Sequence, residues 1–167
     1  MGFLIEQLQQ NKNVFLDLLK DVNKDMYLWK QTPEKWCLLE ILCHLYDEES
    51  EDFRFRTQWV LDKPKQIPPQ FNPVAWVTER NYIGQDYNQA LNKFIEEREQ
   101  SIIWLQSLGN PKWENYYEHP KKGELTAKFF LTNWLAHDYL HIRQITKLKF
   151  DYLEHQSGEM IDYAGIW

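Results

Sequence analysis

The amino-acid sequence predicts an all-α protein, a bundle of four amphipathic helices. Two observations support this fold class. Apolar residues recur at steps of three and four in four long segments, the spacing that places them on one buried face of a helix. A long proline-rich connection separates the second segment from the third, and it contains enough chain to cross the end of a bundle. The 167 residues suffice for one hydrophobic core, so a single domain over residues 1–167 is expected.

The first two helices are separated by a proline turn. Helix one is predicted over residues 4–29, and Pro33 ends the helical pattern because proline lacks a backbone donor. Helix two is predicted over about residues 37–60. Cys37 stands where a Ser or Thr would form a capping box with Glu40, and because a thiol is a poor substitute for a hydroxyl, a softer helix start is expected.

Helix three follows the proline-rich connection. Four prolines in residues 64–73 exclude regular structure there, and a possibly helical segment, 74–82, comes next. Helix three is predicted over about residues 86–108, with Gly109 directly behind it as a typical stop signal.

The C-terminal part of the chain is predicted to contain the longest helix. Residues 113–123 indicate a polar, aromatic loop in which His119 is exposed. Thr126 is a suitable cap for helix four, which is predicted over about residues 127–152. The apolar residues 166–167 at the end are expected to dock on the body of the protein.

The composition argues against several classes of function. A formal net charge of −6 without a long Lys/Arg run argues against a nucleic-acid partner, because that affinity depends mostly on clustered positive charge. No segment approaches the roughly 20 apolar residues of a membrane span, so a cytoplasmic protein without a membrane partner is expected. The two cysteines, Cys37 and Cys43, do not form a disulfide framework and are expected to be reduced.

Helix four contains the pair His137 and His141. Residues four apart on a helix lie about 40° apart around the axis and roughly 6 Å apart along it, so both rings project from one face. That face also carries apolar residues at helical steps, namely Phe130, Trp134, Ile145 and Leu148. Both histidines are therefore predicted to point inward. Two converging buried imidazoles indicate either a shared cation or separate hydrogen bonds to buried polar groups.

Helix two offers a third histidine. His44 lies in the apolar half of that helix, and bundles place metal sites between facing helices, so the candidate metal site is His44, His137 and His141. Three imidazoles leave an open coordination position, which is typical of a catalytic metal. Glu48 follows His44 by four residues and is either a solvated carboxylate or a group that reaches the same cation.

Two segments, residues 36–45 and 133–145, resemble the signature segments of the DinB/YfiT-like superfamily, and the similarity spans nearly the whole chain. The resemblance implies a four-helix bundle in an up-down-down-up arrangement, and often a homodimer. It also implies a divalent metal held by His44, His137 and His141. Characterised members include thiol-dependent S-transferases and isomerases that use bacillithiol, mycothiol or glutathione, and metal-dependent hydrolases. Cys37 departs from the usual Ser or Thr at the start of helix two.

The leading hypothesis is therefore a divalent-metal-binding enzyme, a thiol-dependent S-transferase or a related transferase or hydrolase. Its partners would be a low-molecular-weight thiol and a small electrophile. The open metal position would bind the thiol and lower its pKa, and Glu48 would serve as the base. Three imidazoles suit Zn, Ni, Fe and Cu alike, and Zn, Ni or Fe is expected.

Other classes of function are also weighed. The first alternative is a metal-binding, stress-related protein without turnover, in which the ion joins helices two and four. A second is a zinc protease, because residues 137–141 differ by one residue from His-Glu-x-x-His, with Asp138 at the position of the base and Glu159 downstream. Asp is a shorter base than that motif requires. A di-iron carboxylate bundle is excluded because no Glu precedes any histidine by three residues.

Overall fold

The computed structural model describes residues 1–165 and 167. Its helices and strands follow in chain order: α1 (Gly2–Leu19), α2 (Lys24–Tyr27), α3 (Leu38–Asp47), a π-helical turn (Glu48–Arg54), α4 (Phe55–Asp62), α5 (Pro73–Glu79), a 3₁₀ turn (Tyr82–Gly84), α6 (Tyr87–Ser107), β1 (Tyr116–His119), β2 (Gly123–Thr126), α7 (Ala127–Ser157) and a 3₁₀ turn (Asp162–Ala164). The continuous run of α3, the π-helical turn and α4 forms the second helix of a four-helix bundle. In the described chain, no helix combines the length and the apolar character needed to cross a membrane.

Helix α1 runs antiparallel to α6. The carbonyl of Leu8, early in α1, accepts a hydrogen bond from Arg98, late in α6, whereas Phe15 meets Phe94 edge-on at 5.3 Å between ring centroids. The side chains of Phe15 and Phe94 are fully buried, and burial of a side chain of this size contributes about 1.5–3 kcal/mol to stability.

Helix α7 runs antiparallel to the second helix and parallel to α1. His44 faces His141, whereas Phe53 stacks near Trp134, so the order of contacts is reversed along the two helices. Lys149, near the end of α7, reaches the carbonyl of Leu18 at the end of α1. These directions confirm the predicted all-α, up-down-down-up four-helix bundle.

A buried ion network joins the helices at the centre of the bundle. The Arg98 guanidinium donates to Glu49 at 2.8 Å and to both oxygens of Asp138 at 2.7 and 2.8 Å. The Trp134 indole donates to Glu49 at 2.9 Å, and the Asn11 amide donates to Asp138 at 3.1 Å. Buried charges are costly unless they are paired and hydrogen-bonded. Here each charged group has such partners, drawn from α1, the π-helical turn, α6 and α7.

The first helix is shorter than predicted. It ends at Leu19 rather than at residue 29, Asp21 adopts a left-handed backbone conformation (φ 57°), and a separate short helix begins after Asn23. The Asn23 side chain accepts a hydrogen bond from the Met26 N–H at 3.0 Å. A side chain that caps a new helix competes with continuation of the old one, although the apolar spacing runs through both.

The second helix begins with a capping box between Cys37 and Glu40, in which the Glu40 carboxylate makes the stronger hydrogen bond. The Glu40 carboxylate accepts a hydrogen bond from the Cys37 N–H at 2.9 Å and pairs with Lys30 at 2.7 Å. The reciprocal half of the capping box thus compensates for the thiol.

A β-hairpin replaces most of the loop predicted over residues 113–123. Tyr117 pairs with Leu125 in the antiparallel register, and both side chains are buried against Phe130. Gly123, the first residue of β2, has φ 72°, where a side chain would be strained. The two strands are too short for their alternation to be distinguished from a loop by sequence.

The end of the chain also contacts the body of the protein. The Trp167 ring lies 5.4 Å from the Phe150 ring, between centroids. The predicted docking of Ile166 lies outside the described residues.

We predict that Arg98→Met lowers the free energy of unfolding by about 3–5 kcal/mol, because the substitution leaves the Glu49 and Asp138 carboxylates buried without their cation. Urea denaturation followed by circular dichroism measures the change. Asp17→Ala, which removes the exposed partner of Lys20, is the matched control and should leave the midpoint unchanged. A loss below about 1 kcal/mol in Arg98→Met would show that the network is not what holds the bundle together.

Candidate metal centre

The three histidines predicted to bind a metal lie together between α3 and α7. One ring nitrogen from each of His44, His137 and His141 lies within 4.8 Å of the others. The Nε2 atoms of His137 and His141 are 3.0 Å apart, and the His44 ring centroid is 5.4 and 5.0 Å from theirs. The structure thus joins a residue of helix two to the pair on helix four, about ninety positions away.

The donor set fits a divalent transition-metal ion. Two nitrogens bound to one tetrahedral ion at roughly 2.1 Å each are about 3.4 Å apart, close to the spacing of the helix-four pair. Neutral imidazoles suit such ions. His44 Nδ1 is buried and has no hydrogen-bond partner among the described residues, and an unpaired buried nitrogen of this kind is unfavourable without a ligand.

Burial keeps the histidines uncharged. It lowers the pKa of His44 to about 3 and the pKa of His137 to about 2, and the neighbouring His141 adds to both effects. The pKa of His141 is lowered by burial too, although its hydrogen bond to Gln144 opposes the shift. At neutral pH all three rings therefore carry the lone pairs that a metal ion requires.

Gln144 orients His141 and was not identified from the sequence. Its Oε1 lies 2.8 Å from His141 Nδ1, so that nitrogen donates its proton outward and Nε2 keeps its lone pair for the site. An outer hydrogen bond of this kind determines the tautomer of a ligating histidine. The spacing of three residues on a helix could have indicated the contact, since such side chains are neighbours.

Glu48 is buried near His44, so its interpretation as a solvated carboxylate is wrong. Its Oε1 lies 4.0 Å from His44 Nδ1, too far for a hydrogen bond. Burial raises the pKa of the Glu48 carboxyl to about 8, and the negative charge of Asp52 adds to the effect. The neighbouring carboxylates Asp47 and Glu49 are buried as well.

The geometry excludes the zinc protease. Asp138 would be its base, but the carboxylate is fully buried and both of its oxygens are hydrogen-bonded to Arg98. Glu159 would be its third ligand, but it is exposed beyond the end of α7 at Ser157. About 24 Å of helix separates that end from His141.

Two clefts reach the histidine cluster. The first, which we call the aromatic cleft, has a volume of about 360 Å³ and includes His137. Its apolar wall consists of Phe53, Leu125, Phe129, Phe130 and Leu140. The second, which we call the basic cleft, has a volume of about 470 Å³ and includes His141 and Gln144. Its other main lining residues are Lys35, Trp36, Arg143 and Lys147.

His119 is half-buried rather than exposed, because the hairpin places it in the wall of the aromatic cleft. Its Nδ1 accepts a hydrogen bond from the Lys121 N–H at 3.1 Å. It is not a member of the metal-binding group that the described residues form. The sequence contained no signal for this position, since it depends on strand pairing.

A histidine cluster between facing helices places this protein in the class of four-helix bundles with a candidate metal site in the bundle core. The DinB superfamily model matches residues 7–145, a range that contains all three histidines, and the chain belongs to that superfamily. The fold is similar to that of YfiT from Bacillus subtilis, described as a probable metal-dependent hydrolase with an unusual four-helix bundle topology. The TM-score is 0.77 at 17% identity, over 95% of this chain and 88% of that chain. The comparison with curated proteins finds no match.

We predict that His44→Ala, His137→Ala and His141→Ala each lose stoichiometric metal on dialysis. Two imidazoles hold a divalent ion much more weakly than three, because water replaces the lost ligand. Elemental analysis measures the metal, and circular dichroism should show a folded helical protein, since four amphipathic helices supply most of the burial.

The controls for these variants are substitutions of residues outside the cluster. Glu159→Ala, His119→Ala and His155→Ala should retain the metal. Retention in His44→Ala together with loss in Glu159→Ala would mean that the ligand set is wrong.

We predict that Gln144→Leu lowers metal affinity about 10–100-fold, because His141 loses the hydrogen bond that orients it. Competition with a metallochromic chelator measures the affinity. Gln156→Leu, an exposed substitution on the same helix, should leave the affinity unchanged. Equal affinity in Gln144→Leu and the wild type would contradict an orienting role.

Proposed function

We propose that this protein is a divalent-metal-dependent enzyme, a thiol-dependent S-transferase or a related transferase or hydrolase that acts on a small electrophile. The observation that carries the proposal is the combination of three converging imidazoles with two clefts, one bordered by His137 and the other by His141. Within the described chain, the metal-binding group contains three histidines and no cysteine or carboxylate. A set of three protein ligands leaves a coordination position for a reactant.

Each part of the site has a proposed role. His44, His137 and His141 would hold Zn, Ni or Fe, ions that imidazole ligands suit. When bound, such an ion lowers the pKa of a thiol or a water molecule in its open position and so supplies a nucleophile at neutral pH. The Trp36 ring, 4.9 Å from His44, and the Phe53 ring, 4.9 Å from His137, shield the cluster from bulk water.

Glu48 is the proposed proton acceptor. Its buried carboxyl lies on the His44 side of the cluster, and its pKa of about 8 lets it exchange protons near neutral pH. A general base works best when its pKa is close to the working pH. The two neighbouring carboxylates do not take this role, because Glu49 is hydrogen-bonded to Arg98 and Asp47 to Tyr82.

The two clefts favour a reaction between two small molecules. A hydrolase needs a pocket for one substrate, since water requires none, whereas a transferase needs room for two. The aromatic cleft borders His137 and the basic cleft borders His141, so each reactant would approach the cluster from its own side.

The description of YfiT as a probable metal-dependent hydrolase supports metal dependence and favours the hydrolytic variant of the proposal.

A metal-binding, stress-related protein without turnover is the alternative. The position of the ligands on two different helices favours it, because an ion bound there would join α3 to α7 and stabilise the folded state. Both functions require the same histidines, so only a measurement of turnover separates them.

The test is elemental analysis of the purified protein, followed by assays of the metal-loaded protein with bacillithiol, mycothiol, glutathione and a panel of alkylating electrophiles. We expect metal-dependent loss of thiol that ends on chelation. In Glu48→Gln, kcat should fall about 10²–10⁴-fold while the metal is retained, because the substitution removes the base and not a ligand. Stoichiometric metal without turnover of any thiol or hydrolysable ester would favour the alternative.

A further inference from the structure

The basic cleft has a charge opposite to that of the protein. The chain carries a formal net charge of −6, yet the charged side chains that line this cleft are Lys35, Arg143 and Lys147, and no Asp or Glu is among its described lining residues. Such a local excess of positive charge in an acidic protein attracts anions and raises their concentration at the cleft.

Most of this positive charge is not neutralised by neighbouring groups. Lys147 pairs with Asp151, one turn further along α7. Lys35 and Arg143 form no ion pair with the described part of the chain, and both side chains are exposed. About two positive charges therefore remain available to a ligand.

The cleft is connected to the histidine cluster through its own walls. Trp36 follows Lys35 and places its ring 4.9 Å from the His44 ring. Gln144 follows Arg143 and contacts His141 at 2.8 Å. A molecule whose anionic end lies near the two cations would therefore extend its other end past Trp36 and Gln144 toward the histidines.

We propose that the basic cleft is a carboxylate-binding site. For its substrate, this assignment rests on the proposed function. The basic cleft holds the carboxylates of an anionic low-molecular-weight thiol and directs the sulfur to the histidine cluster. The Arg143 guanidinium matches a carboxylate with two parallel hydrogen bonds. The volume of about 470 Å³ is in the range of small-molecule sites. The aromatic cleft is left for an apolar electrophile.

The carboxylate site is tested without any thiol. Succinate and its uncharged analogue succinamide are titrated into ¹⁵N-labelled protein, and amide shifts are followed by NMR. We expect succinate alone to shift residues around Lys35, Arg143 and Lys147, with a weaker effect at high salt, because exposed charges are screened. Arg143→Gln and Lys35→Gln should remove these shifts, whereas Lys128→Gln, an exposed lysine elsewhere on α7, should preserve them.

The assignment is overturned if succinate causes no shifts at the cleft, if succinamide causes the same shifts, or if Arg143→Gln and Lys35→Gln leave them unchanged.

The link to the thiol is tested by kinetics of the zinc-loaded protein. Glutathione and its diethyl ester carry the same thiol, but the ester lacks the carboxylate charges. We expect a KM at least about ten-fold lower for glutathione, and the loss of that preference in Arg143→Gln at unchanged kcat and metal content. Equal KM values for the two thiols would refute delivery of the thiol by this cleft. Succinate binding without turnover of any thiol or hydrolysable ester would instead reject the proposed function and leave the carboxylate site standing.

Discussion

The buried guanidinium of Arg98 is the interaction on which the arrangement of the helices depends. It is hydrogen-bonded to Glu49 and Asp138 on two other elements, and Asn11 of α1 reaches the same aspartate. Because a charge in the core is tolerated only when its partners surround it, this network favours one relative position of the helices. That position also places His137, the neighbour of Asp138, opposite the second helix.

The π-helical turn contains two adjacent carboxylates with different roles, Glu49 in the ion network and Glu48 as the proposed base. Glu48 and Glu49 are adjacent, and both are buried. Glu49 pairs with Arg98 at 2.8 Å and completes the ion network. Glu48 lies 4.0 Å from His44, and no cationic group of the described residues is as close to it as Arg98 is to Glu49. Single π-helical turns within α-helices are frequent at functional sites, where they re-aim side chains that regular spacing would direct elsewhere. The π-helical turn thus supplies one carboxylate to the ion network and another to the surroundings of the histidine cluster.

The chemistry of the site depends on contrasts of charge over short distances. Burial disfavours the charged form of each group, so the histidines are neutral and the pKa of Glu48 is raised to about 8, whereas the basic cleft next to them is open to solvent. The aromatic cleft has an apolar wall, and its charged lining residues, Asp52, Arg56 and Lys122, are of both signs. A cluster of neutral ligands between a basic cleft and a cleft with an apolar wall is suited to bring together two molecules of different polarity.

The sequence by itself determined the features that belong to single helices. Periodic apolar residues predicted the four long helices, and the spacing of His137 and His141 predicted that both rings share one buried face, because this geometry follows from one turn of helix. It also predicted that His44 would join them, since facing helices of a bundle share a core. Tertiary structure alone decided that Glu48 is buried and that His119 lines a cleft. Burial of the first depends on helix packing, and the position of the second on the pairing of two short strands; neither leaves a local pattern in the sequence.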